Sequence, residues 1–455
     1  MRKILLLIIF FTTVSLTIFL LWSVYRSQSF RTLVSEKIVQ PIIPSNMPVG
    51  LLTSLLGLDR PHVYLLLFLN NTELRPAGGF IGSYAIVKVE NGALQLLKVE
   101  GTEILDNSAP NFISPPPDAL KTYLGIDKWS FRDSNWNPDF IQSARKALEL
   151  YKKEKGFAAN EIDGVIGFTP TVIENVLRLA GPIKVDGEEF NATNFTEKLE
   201  YEVEYGFAER GLHFNDRKKL LANLASAILS RLKSNILLHS SDYFTLAQTM
   251  LREKQMVIYL TEQNLEKILL ANDSAGEIKT PAGDYLLWVD ANLGSLKTDA
   301  VISRSLNYKL ETSEGKLAAT ASMNYSHQVK IDWRTSRYRT YARIFVPLGS
   351  QLLKVEGVYK NALGINNVFD QGVENGHQWF GAFISIEPGK TGQLSFTYIL
   401  PPALEESVNQ GKYQLLIQKQ IGTLSPKLTI DLNFAKKPYD LVTDLSIDRS
   451  VYLKF

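Results

Sequence analysis

Apolar residues along this chain follow three regimes of spacing. From Ile4 to Val24 the run is uncharged and unbroken, about 21 residues long. As a helix that is enough to span a hydrocarbon core of roughly 30 Å. Arg2 and Lys3 precede it. Trp22, Tyr25 and Arg26 close it, a pattern of interface anchors with no small-residue cleavage site. The pattern predicts a transmembrane signal anchor over 1–26, with residues 4–24 in the membrane. The N-terminus is expected to be cytoplasmic and the bulk of this cell-membrane protein extracytoplasmic. Residues 27–60, broken by Pro41, Pro44 and Pro48, read as a stalk.

The second regime, 61–288, alternates short apolar runs with helical periods. "HVYLLLFLN" and "EIDGVIGF" are almost wholly apolar, as expected of strands covered on both faces. "FIGSYAIVKVENGALQLLKVEG" reads as a hairpin turning at Asn91-Gly92. In "NPDFIQSARKALELYKKEKG", Phe140, Ile141, Ala144, Ala147, Leu148 and Tyr151 fall on one helical stripe. "TPTVIENVLRLAG" and "NDRKKLLANLASAILSRLKSN" are further helices. The alternation predicts a layered α/β/α domain. The third regime, 289–455, has period two in "AVISRSLNYKLE", "KLAATASMNYSHQ", "RTYARIFVPLG", "GQLSFTYILP" and "KYQLLIQKQ". It predicts an antiparallel β-sandwich.

Composition narrows the function classes. The 455 residues exceed one ordinary core, and 45% apolar with 21% charged content is that of globular protein. A formal charge of +2 supplies no field for nucleic acid, and the absence of cysteine excludes a disulfide scaffold or cysteine-held zinc. Phosphate-loop, H-E-x-x-H and G-x-S-x-G motifs are missing. The five histidines, at 62, 213, 239, 327 and 377, are scattered.

The candidate chemistry therefore lies in Arg, Asp, Asn and Gly on loops. "NTELRPAGGFIGS" carries Arg75, Gly78 and Gly79. "FRDSNWNPDF" carries Arg132, Asp133, Asn135 and Asp139 before a helix, and "GLHFNDRKKLL" carries Asp216 and Arg217 at another. Loops beyond the strand ends line the ligand crevice of an open α/β sheet. Arginines beside helix N-termini suit phosphate or pyrophosphate, and glycines permit close backbone approach. Structural roles stand beside these: an Arg75–Glu73 ion pair, caps at Asp133, Asn135, Asn215 or Asp216, and a glycine bulge. "DWRTSRYRTYAR" groups Trp333, Arg334, Arg337, Tyr338 and Arg339, a polymer-binding stripe or an ordinary solvated strand.

The segments "YLLLFLNNTELRPAGGFIGSY", "RDSNWNPDF", "IDGVIGFTPTVIENVLRLAGPIKVDG" and "VDANLGSLKTDAVISRS" resemble recurrent segments of the DUF4012 family of bacterial envelope proteins. More distantly, their order resembles the LytR-CpsA-Psr (LCP) domain. LCP domains attach glycopolymers from polyprenyl-pyrophosphate carriers to peptidoglycan, with arginines on the pyrophosphate and a magnesium ion held by aspartates. That resemblance implies an LCP-like α/β domain over 61–288. It matches Arg75 to the first arginine, Asn135 to the helix asparagine and Asp216 with Arg217 to the start of the late helix. Together with Arg132, Gly78 and Gly79 from the loops, Arg75, Asn135 and Arg217 are the expected phosphate-binding set; if transfer occurs, Asp133 or Asp139 is the expected general base or ligand of Mg2+, Asp133 first. The sequence also departs from the LCP pattern. "RPAGG" lacks the aspartate after the first arginine. Asn70 and Asn71 end the first strand where an aspartate is expected. "VEGTEIL" after the hairpin offers only Glu103. Two functions follow as expectations. One is binding, and transfer by an LCP-like phosphotransferase, of a polyprenyl-phosphate glycolipid or other anionic cell-wall glycopolymer. The other is a non-catalytic envelope scaffold or adhesion module on a degenerate LCP-like domain.

Overall fold

The computed structural model describes residues 49–109, 112, 114–209, 211, 219–235, 239–328, 331–358, 369–434 and 438–455. The expected anchor at 4–24 and most of the stalk lie outside these residues. Among the described residues no helix is long and apolar enough to cross a membrane.

The first sheet contains β1 (His62–Asn70), β2 (Phe80–Glu90), β3 (Ala93–Gly101), β4 (Ile162–Phe168) and, after a small hairpin β5/β6 (Ile183–Val185, Glu188–Phe190), β7 (Met256–Leu260). Its order is β3-β2-β1-β4-β7, with β1 and β4 parallel and the other pairs antiparallel. The β2/β3 turn uses Asn91 and Gly92 at φ 51° and 76°, the left-handed pair that matches strand twist.

The period-two geometry of a strand sends the side chains of β1 to opposite faces. Leu65, Leu67 and Leu69 are buried on the face covered by helix α4, which packs through Phe140, Ala144, Ala147 and Tyr151. Helices α1 (Val49–Leu55), α2 (Thr102–Ser108) and α3 (Asp118–Leu124) precede α4 (Phe140–Lys153) in the chain. Tyr64, Leu66 and Phe68 point to the other face, beneath α5 (Pro170–Ala180), α6 (Phe195–Tyr201), α7 (Lys219–Asn235) and α8 (Ser240–Arg252). Helix α9 (Gln263–Leu270) closes the unit beside β7.

The second half consists of two six-stranded sheets sharing one core. The strands are β8 (Asp284–Asn292), β9 (Ile302–Ser313), β10 (Lys316–His327), β11 (Tyr338–Val346), β12 (Gln351–Glu356), β13 (Phe369–Glu374), β14 (His377–Ile386), β15 (Thr391–Ile399), β16 (Lys412–Gln418), β17 (Lys427–Asn433), β18 (Tyr439–Asp444) and β19 (Arg449–Lys454). Their orders are β12-β15-β10-β9-β17-β18 and β13-β14-β11-β8-β16-β19. Trp288, Ile344 and Phe380 of one sheet meet Leu306, Ala319 and Phe396 of the other. The all-antiparallel expectation fails at two pairs, since β9/β17 and β8/β16 run parallel. The chain crosses between sheets from β8 to β9 and again from β16 to β17, and the second crossing lies alongside the first. All of β8 belongs to this half, so a division at 288/289 falls inside a strand.

Candidate functional site

The loop after β1 was the sequence's leading candidate, and the structure buries it between the two halves. Arg75 is 3% exposed. Its Nη1 donates to the Asn292 carbonyl at 2.7 Å, Nε to Asp133 Oδ1 at 3.3 Å and Nη2 to Glu73 Oε1 at 3.3 Å. The guanidinium also lies 5.1 Å from the Phe80 ring centroid. The backbone around it is stitched to the β-sandwich. Leu74 N donates to Asp299 Oδ2, Asn292 N to the Leu74 carbonyl, and Gln420 Nε2 to the Arg75 carbonyl. Burial pushes the Glu73 carboxyl upward, against the pull of Arg75 and Lys297.

The neighbouring candidates share this structural role. Asn135 Nδ2 donates to the Gly79 carbonyl at 2.7 Å and the Ala77 carbonyl at 3.3 Å. Gly79 must be glycine because a Cβ would stand 2.2 Å from the Asn70 carbonyl group. Gly78, at φ 114°, abuts Leu69 and accepts the close approach of Gly422. The two glycines let chain meet chain. Asp139 caps α4, accepting from Gln142 N at 3.1 Å, and its other oxygen accepts from Ile278 N at 3.0 Å. The cap thus falls to Asp139 and not to Asp133 or Asn135. Burial raises its pKa against these hydrogen bonds. Arg217 and Asp216 lie outside the described residues.

The donor set at Asp133 does not fit magnesium. A guanidinium occupies one oxygen's approach, and a hard dication prefers several oxygens without a competing cation. Among the described residues no group of three or more His, Asp or Glu side chains is placed to hold a metal.

A different site lies on the other face of the sheet, between it and α5–α8. It is a cavity of about 640 Å³ with a predominantly apolar lining. Tyr64, Leu66, Phe68, Ile166 and Phe168 form its floor, and Leu224 and Ile228 of α7 belong to its roof. Along β1 from Tyr64 to Asn70 it extends about 20 Å at the rise of a strand. A bulge prepares the floor. Phe68 pairs with Ser83 but Leu69 with Ile81, which leaves Gly82 as the extra residue. Gly82 and Ser83 consequently both line the cavity.

Polar groups gather at the end where β1 finishes. Asn70, Glu103, Arg132, Glu200, Glu204 and Lys297 line the cavity there. Among the described residues, Arg132 is the sequence-predicted phosphate ligand that reaches it, with a side chain 33% exposed and paired with Asp106. Lys297, contributed from beyond β8, pairs with Glu204 at 3.3 Å. Glu200 accepts from Asn70 Nδ2 at 3.0 Å and from Arg334 Nε at 2.6 Å.

Behind Arg132 sits an acid pair that the sequence reading missed. Asp106 and Glu154 are both buried, close enough for a proton on one to be shared with the other. Burial raises both. The guanidinium of Arg132 opposes the rise on Asp106, while Glu154 is pushed up to about 8 by burial and by the Asp106 carboxylate. Asp106 lies three residues beyond the Glu103 noted after the hairpin; its helical placement in α2 was the missing signal.

Among curated proteins, no match is found. A solved structure described as the transcriptional regulator yvhJ from Bacillus subtilis aligns at 13% identity over 47% of this chain and 95% of that one. Its TM-score of 0.19 supports no argument from likeness. Residues 59–203, which contain β1–β6, the Arg75 loop and much of the cavity floor, match the model of the family described as "Protein of unknown function (DUF4012)".

Proposed function

We propose that the α/β domain binds the hydrocarbon chain of a phosphorylated carrier lipid, of polyprenyl type, in the 640 Å³ cavity. The phosphate end would rest at the rim beside Arg132 and Lys297. The observation that carries this reading is the long apolar cavity ending in a polar rim beyond the strand ends. That volume lies in the range of small-molecule sites, about 300–1,000 Å³. Lipid binding fits an envelope protein held in the cell membrane by residues 4–24, with its bulk extracytoplasmic, and an LCP-like fold fits the same picture.

Binding is favoured over transfer. Arg75, Asp133, Asn135 and Asp139, the LCP-like machinery, are committed to the domain junction and a helix cap. A second reading, the non-catalytic scaffold, gains support from the Arg75–Glu73 contact at 3.3 Å.

Calorimetric titration of the full-length protein with geranyl and farnesyl diphosphate, with and without magnesium, separates these readings. The lipid reading expects affinity to rise with chain length, up to several-fold per buried methylene at about 0.8 kcal/mol each. Arg132→Gln should weaken the diphosphates and leave geraniol unaffected. Absence of binding by folded protein would overturn the lipid reading and leave the scaffold.

A further inference from the structure

We propose that Tyr201, Tyr205 and Trp333 form a carbohydrate-stacking subsite at the cavity rim, placed to take the first sugar of a glycosylated carrier lipid. The inference rests on the lipid reading above and adds the ligand's head group to it. Three lines of observation converge on these residues.

The first is position. Glu200 and Glu204 line the cavity, and Tyr201 and Tyr205 each follow one of them. Spaced by four, the two tyrosines share a face of the helical segment just beside the rim. Tyr205 stands in a π-helical turn, Glu202–Gly206, that continues α6; such widened turns are concentrated at functional sites.

The second is geometry. The tyrosine rings lie 6.0 Å apart and 30° from parallel. Trp333 stands nearly perpendicular to both, at 5.4 Å and 79° from Tyr201 and at 5.6 Å and 83° from Tyr205. The three rings form a corner and not a closed stack. Tyr205 remains 45% exposed, an apolar surface that water leaves free for a partner. The C–H face of a pyranose carries slight positive charge and packs on the negative face of such rings.

The third is the polar surround. Sugar hydroxyls need donors and acceptors beside the stacking face. Glu204 and Lys297 supply both at the rim, and Tyr201 Oη donates to Glu209 at 2.6 Å. Trp333 comes from the other half of the molecule and is held in place. Asp332 accepts from Arg334 N at 2.9 Å and Thr335 N at 2.7 Å, and Arg334 grips Glu200. The stripe singled out in the sequence therefore divides. Tyr338 is buried in the sandwich core, Arg337 pairs with Glu387, Arg339 lies over Phe383, and Trp333 packs on Tyr201 and Tyr205, the residues that follow Glu200 and Glu204.

The test titrates full-length protein with three probes: geranyl diphosphate, its diester bearing N-acetylglucosamine on the terminal phosphate, and a free N-acetylglucosamine disaccharide. The sugar should strengthen binding of the lipid by about tenfold, the factor given by one well-made aromatic contact. Tyr205→Leu and Trp333→Leu should each remove most of that gain while leaving geranyl diphosphate unchanged. Tyr205, being exposed, keeps the test valid if the Trp333 variant folds poorly. A sugar that adds nothing in the wild type, or variants that weaken both lipids equally, would overturn the subsite. Disaccharide binding that is lost in Tyr205→Leu, with no binding of geranyl diphosphate, would uphold the subsite and sink the lipid reading. Failure of every sugar-bearing probe would sink the subsite.

Discussion

Arg75 reads as a phosphate ligand in the sequence, and the fold takes up its charge at the junction of the two halves. Its charge is buried beside two carboxylates and a backbone carbonyl that belongs to Asn292, more than 200 positions away. Removing one partner from a buried, hydrogen-bonded charge set typically costs about 3–5 kcal/mol. Arg75→Met should therefore lower the denaturation midpoint sharply, by an amount of that order in chemical unfolding. The protein that remains folded should bind geranyl diphosphate as the wild type does. A variant of normal stability that loses only ligand affinity would show that Arg75 serves the ligand after all. The sequence singled out Arg75 because charge between apolar strands needs a reason. It could not supply the reason, because Asn292, Asp299 and Gln420 are brought to it only by the tertiary fold. Arg132 was singled out for its place before a helix near the strand ends, where ligand crevices form, and it does line the cavity.

At the scale of elements, the apolar run "HVYLLLFLN" correctly signalled a strand covered on both faces. It could not distinguish a cover of packed side chains from a roof above an open cavity. The bulge at Gly82 was visible only as a glycine. A Cβ there would meet nothing closer than the Phe80 ring at 3.8 Å, so Gly82→Phe should be accepted by the backbone and fill the cavity mouth. The acid pair behind α2 gives a separate prediction. Glu154 holds its proton far more tightly in the folded state, near 8, than an ordinary glutamate does. Its contribution to stability is complete below the ordinary carboxylate range and is lost as pH rises through about 8. Glu154→Gln should flatten this part of the profile, raising the melting temperature at pH 8.5 relative to the wild type and changing it little at pH 4. Equal effects at both values would place the proton elsewhere. The parallel pairs β9/β17 and β8/β16 were beyond the sequence, since period two is the same in parallel and antiparallel strands.

At the scale of the whole molecule, the two halves are joined by many buried polar contacts. Residues 70–79 hydrogen-bond to 292–299 and to 420–422, and Lys254 of the first half pairs with Asp448 of the second at 2.7 Å. Such a junction makes independent unfolding costly, because separation would strand each of these groups. Calorimetric melting should show a single transition, and a chain ending before β8 should fail to fold; two resolved transitions would contradict this coupling. The division into an α/β half and a β-rich half was readable from periodicity. The junction was not, since its partners lie far apart in the chain and only the fold assembles them. The cavity rim belongs to both halves through Lys297 and Arg334, so ligand binding should stabilise the molecule as a unit. The most direct test of the central claim is farnesyl diphosphate binding to full-length wild type and Gly82→Phe, with melting temperature as a control. The lipid-cavity account predicts saturable binding that the substitution abolishes while the melting temperature stays within a few degrees. Equal binding by both proteins, or none by the wild type, would contradict it.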